Sequence, residues 1–120
     1  MAFHVEISPR AFNDLDEIAH YIMEHGSFEQ AEDWFNGIIA AIRTLDDMPH
    51  RCPIADESQE VGQEVRLLLY GKRNRKYKVY YSVRQRTPST GTVQIFHVRH
   101  WARTTLAAEQ IRKLMSGHTS

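Results

Sequence analysis

The chain is poor in cysteine, with Cys52 alone among 120 residues, and has only four prolines and six glycines. One cysteine closes no internal disulfide and supplies no cysteine-based metal cluster. No run approaches the ~18–20 consecutive apolar residues of a membrane span, so no membrane role is expected. The start, MAFHVEISPR, has no basic stretch leading into an apolar core, which argues against a secretory signal and for a cytoplasmic protein. Phosphate-binding loops, a G-x-S-x-G elbow and an H-E-x-x-H helix are all missing. His97 and His100 stand three apart, so on a strand they face opposite sides and ligate no common ion. Neither a metal nor a cofactor is expected.

Acid is also missing over one long window. Between Glu64 and Glu109 there is no Asp or Glu, but there are ten bases, among them Arg66, Lys78, Arg84, Arg99 and Arg103. The formal net charge is zero only as a total. Residues 1–60 carry 13 acids and three bases, a net −10, and residues 61–120 carry 12 bases and two acids, a net +10. Such asymmetry signals either a partner or two halves that neutralise each other on folding.

What is present reads as one domain of ordinary globular composition, since 42% of residues are hydrophobic and 25% charged. Alternation in Phe3–Ile7 predicts a short strand. Ser8-Pro9 is a helix start: the hydroxyl caps a free N–H, and proline fits the first turn. Ala11, Leu15, Ile18, Ala19 and Ile22 follow at helical spacing, with Asp14, Asp16, Glu17 and Glu24 assigned to the other faces. Gly26 ends this helix, and Ser27 opens a second that stops by Met48, ahead of Pro49. Residues 49–62 read as a loop. Strands are expected over Glu64–Tyr70, Lys76–Arg84 and Thr92–Arg99, with turns at 71–75 and 85–91. A closing helix is expected over about 104–115, with a frayed tail at 116–120.

The order β-α-α-β-β-β(-α) predicts an α+β fold with a helical hairpin on one face of a small, mainly antiparallel sheet. Tyr77, Val79, Tyr81 and Val83 are then core. Arg66, Lys78, Tyr80 and Arg84 are expected on the opposite face, with Tyr80 the best candidate for an exposed ring. Cations interleaved with aromatic rings suit RNA, where cations meet phosphate and rings stack on bases. A metal-free ribonuclease would use the same groups, with cations for the phosphorane charge and His100 as acid or base.

Several fragments taken together resemble toxins of the ParE/RelE superfamily of bacterial type II toxin–antitoxin systems. They are V-x-I-S-P-x-A-x-x-D-L-x-x-I-x-x-Y-I (Val5–Ile22), A-x-x-W (Ala31, Trp34) and L-x-x-x-P (Leu45, Pro49). They continue as G-x-E-V-R (Gly62–Arg66), Y-x-V-Y-Y-x-V (Tyr77–Val83) and I-x-x-V-x-H-x-x-R (Ile95–Arg103). The similarity spans about residues 3–104 and implies the same fold and a plasmid-stabilisation or stress toxin held by a cognate antitoxin in a hetero-oligomer. It implies one of two targets. ParE-like members inhibit DNA gyrase, which would make Arg66, Lys78, Tyr80, Arg84, Arg99 and Arg103 a binding face. RelE-like members cleave mRNA on the ribosome, which would make Arg66, Lys78, His100 and Arg103 catalytic. The acidic hairpin, the zero net charge and the H-x-x-R ending favour the ParE branch. A third reading is a toxin-like domain that has lost activity and serves only its antitoxin.

Overall fold

The computed structural model describes residues 3–72, 76–100 and 113–115. Strand β1 (Phe3–Ile7) leads through Ser8 into α1 (Pro9–His25), and α2 (Phe28–Arg43) returns beside it. Ser8 Oγ accepts the Ala11 N–H at 3.1 Å, and Ser27 Oγ accepts the Gln30 N–H at 3.1 Å. Each cap contributes roughly 1 kcal/mol by satisfying a donor the helix cannot reach. Helix α2 ends earlier than expected, at Arg43, and tightens into a 3₁₀ turn, Thr44–Asp46. Arg51 holds that end, donating to the Thr44 and Asp47 carbonyls at 3.1 and 3.0 Å.

After a second 3₁₀ turn (Pro49–Arg51) and a one-turn helix α3 (Ser58–Val61), the chain forms β2 (Arg66–Tyr70), β3 (Tyr77–Thr87) and β4 (Thr90–His100). The sheet order is β1-β4-β3-β2; β2, β3 and β4 are antiparallel, and β1 lies parallel to β4 at the edge. The architecture is the α+β arrangement expected, with helices packed on one sheet. The β3–β4 hairpin is longer than the sequence suggests. Residues 85–91 lack apolar alternation, yet Gln85 pairs with Gly91 and Thr87 with Thr90 through the backbone. Residues 113–115 of the expected closing helix are helical; the rest of that helix and the tail lie outside the described residues.

Cross-strand partners share a face, so the register sorts the side chains. On the helix side, Val79, Tyr81, Val93, Ile95 and Val98 meet Ala11, Leu15, Ile38 and Ile42 in one buried cluster. Burying each Leu or Ile there contributes about 1.5–3 kcal/mol. Gly37 on α2 matters to this contact, because a Cβ at that position would overlap the Tyr70 hydroxyl.

The opposite face was expected to be open and basic. Its middle is instead a second apolar cluster of Ala55, Val61, Val65, Tyr80 and Phe96, with Leu67, Leu114 and Met115 packed against it. The segment 49–65 supplies half of it by wrapping round the β2 edge as a strap. Leu67 N–H donates to the Pro53 carbonyl at 3.0 Å, Ala55 N–H donates to the Val65 carbonyl at 2.7 Å, and Ile54 bridges to Arg66. Ser58 Oγ closes the strap on itself, donating to the Gln63 carbonyl at 2.6 Å and accepting from Val65 N–H at 3.0 Å. Gly62, at φ 79°, supplies the left-handed residue that ends α3.

Candidate functional site

Adjacent tyrosines on β3 hold the start and the middle of the strap from opposite faces. Tyr81 Oη donates to the Pro49 carbonyl at 2.6 Å on the helix side. Tyr80 Oη donates to Glu57 Oε2 at 2.9 Å on the other. Tyr80 is therefore not the exposed ring expected from alternation: its relative exposure is 0%. Strand alternation does turn it away from the helices, but the strap covers it there. Burial, then the bond to the Glu57 carboxylate, pushes the Tyr80 phenol well above its ordinary range. Burial likewise raises Tyr81, with Cys52 the next cause.

Arg66 is a second correction. Its register partner is Tyr81, so it lies on the helix side rather than with Lys78 and Arg84. Its Nη1 donates to the His50 and Cys52 carbonyls at 2.9 and 2.6 Å, and its Nε donates to Glu64 Oε2 at 2.7 Å. This guanidinium ties the strap to the sheet. His100 is also on the helix side, paired with Tyr77 at the far end of β3, its ring edge-on to Tyr77 with centroids 5.2 Å apart. Tyr77 in turn packs edge-on against Trp34 of α2 at 5.1 Å.

Lys78 and Arg99 remain on the strap side and face each other across β3 and β4, with Leu69 of β2 completing the row. Arg84 pairs with Thr92 on the same face and is exposed, but Ser82 and the buried Tyr80 stand between it and Lys78. The basic face is thus two separate patches, not one stripe. Arg103 lies outside the described residues.

A buried polar pair was not legible in the sequence. Strand β1 covers β4 only as far as Ile95, and Ser8 N–H closes that ladder on the Ile95 carbonyl at 2.9 Å. Past that point Asp14 takes over the strand edge: its Oδ2 accepts Val98 N–H at 3.1 Å and lies 2.7 Å from His97 Nδ1. Arg10 Nε stands 3.6 Å from the other carboxylate oxygen. Asp14 is expected off the apolar stripe of α1, yet it is buried. A β-bulge interrupts the ladder here: Tyr80 pairs with His97 and Tyr81 with Ile95, so Phe96 is the extra residue, Val98 returns to the helix side, and the His97 ring leans on Tyr80. Nothing local announces a partner 83 residues away.

Among the described residues, no group of three or more His, Cys, Asp or Glu side chains is placed to hold a metal ion. No helix among them is long and apolar enough to cross a membrane. The arrangement offers cationic and apolar surface for binding, and a buried network for rigidity.

No curated protein matches the chain. The family described as the ParE toxin of the type II toxin–antitoxin system parDE matches residues 5–105, nearly the whole chain. That span runs from Val5 in β1 through the helical hairpin and the strap to the end of β4. The chain therefore belongs to the ParE toxin family: it is a toxin of a type II toxin–antitoxin system, whose partner is a cognate antitoxin.

Proposed function

We propose that this toxin acts without chemistry, by binding DNA gyrase directly, and that its antitoxin neutralises it by binding in turn. The observation that carries this reading is the dispersal of the groups a metal-free ribonuclease would have to bring to one phosphate. Arg66 is held by two carbonyls and a carboxylate at the strap end of the helix side. His100 is four β3 positions away, opposite Tyr77, roughly 13 Å along the strand. Lys78 projects from the other face of the sheet. General acid–base catalysis needs its groups within hydrogen-bond reach of one reacting centre. Membership of the ParE family supports the same reading.

Two assays on purified toxin test it together. The expected result is inhibition of gyrase supercoiling with no cleavage of mRNA on ribosomes. Ribosome-dependent cuts that disappear in folded Arg66→Ala or His100→Ala variants would overturn it in favour of a RelE-type endoribonuclease.

A further inference from the structure

Lys78 and Arg99 oppose each other in the β3–β4 register on the strap side of the sheet. Like charges directly opposite destabilise a strand pair. Among the described residues neither side chain makes a hydrogen bond or an ion pair. Arg99 Nε is buried with no acceptor, so this half-buried guanidinium has lost water on one edge and gained nothing for it. The nearest stretch of chain offers no remedy, since residues 65–108 contain no acid. Glu57, the buried carboxylate on this face, is taken by the Tyr80 hydroxyl. Beside the two cations, in the same row, Leu69 is 52% exposed where the strap has left the β2 edge.

We propose that Lys78 and Arg99 form an oxyanion site that receives a carboxylate side chain of an acidic peptide segment, with Leu69 receiving an apolar neighbour from the same segment. A carboxylate between the two cations removes their mutual repulsion. It also forms charge-assisted hydrogen bonds to a guanidinium already partly desolvated, where such bonds are stronger than in water. The apolar side chain one place along the row fits a protein segment better than a nucleic-acid backbone. So does the chain's zero net charge, because nucleic-acid binding without sequence reading rests on an excess of cations. This rests on the antitoxin half of the proposed function and names the surface and chemistry that half requires.

The probe is a fluorescent synthetic peptide alternating leucine and glutamate, titrated with the full-length toxin and read by anisotropy. A glutamine counterpart and a single-stranded RNA of similar length are run beside it. The glutamate peptide is expected to bind and to weaken with salt. Its affinity should fall by about tenfold or more in Lys78→Gln and in Arg99→Gln. Arg99→Lys, which keeps the charge, should retain most of the binding, and thermal unfolding checks that each variant is folded. Equal affinity of folded wild type and both glutamine variants overturns the site. So does equal binding of the glutamine peptide, or RNA binding tighter than the peptide through the same residues. Supercoiling inhibition measured on the wild type stands apart from these results. Its absence would sink the gyrase reading while leaving peptide binding intact.

Discussion

The two faces of the sheet are covered by different means. The helix side is closed by seventeen- and sixteen-residue helices whose apolar stripes interlock with Val79, Tyr81, Ile95 and Val98. The strap side is closed by a segment with four residues of α-helix, fastened at a few points by Tyr80, Arg66, Ser58 and backbone bonds. Many dispersed contacts make the first cover tolerant of losing any single polar group. A few directed bonds make the second depend on each of them. The difference also decides where charge can sit: cations are left at the ends of the strapped face, beyond the strap's reach.

Removing packing from the helix side should have the largest effect. Ile38 is fully buried between α2 and the sheet. Ile38→Ala should lose about 2–5 kcal/mol of global stability, read as a lowered urea midpoint with an unchanged slope. On the strap side, Tyr80→Phe leaves the shape but strands a buried carboxylate. It should lose about 1–3 kcal/mol, and hydrogen exchange should rise in residues 53–65 before it rises in α2. A loss spread evenly over both faces would show that the two covers are not separable.

The smallest effect is a pH dependence shared by the faces. Both phenols have folded pKa values raised above the ordinary value of about 10, chiefly by burial. A raised folded pKa gives stability that is fully present below the unfolded value and lost as pH rises toward the folded one. The contribution of the two phenols to stability measured by denaturant titration should therefore be complete at about pH 9 and fall above about pH 10. The fall should be shallower in Tyr80→Phe and in Tyr81→Phe than in the wild type.

Features written within a few residues were legible in the sequence. Ser8-Pro9 and Ser27 cap the helices as expected, and the 3.6-residue stripe of α1 does face the core. Alternation in Lys76–Arg84 correctly separates Val79 and Tyr81 from Lys78. The same rule misleads at Tyr80, because which face is outward depends on what covers it, and the strap's anchor at Glu57 is 23 residues away. Arg66 is expected with Lys78 on the face opposite the helices, whereas register sets it on the helix side among carbonyls. Residues 49–62 read as loop because their order comes from Tyr80, Tyr81 and Arg66 rather than from any period of their own. The Asp14–His97 pair joins residues 83 apart, which no local pattern expresses.

The neighbouring tyrosines have one more consequence. Tyr80 and Tyr81 anchor the middle and the start of the strap only because each projects from its own face of β3. If β3 slipped by one residue against β4, the two phenols would exchange faces. Neither would then meet its acceptor, and Val79 would leave the helix core in the same step. Both tyrosine bonds of the strap therefore require one register of the β3–β4 hairpin, so the strap and the strand alignment stabilise each other.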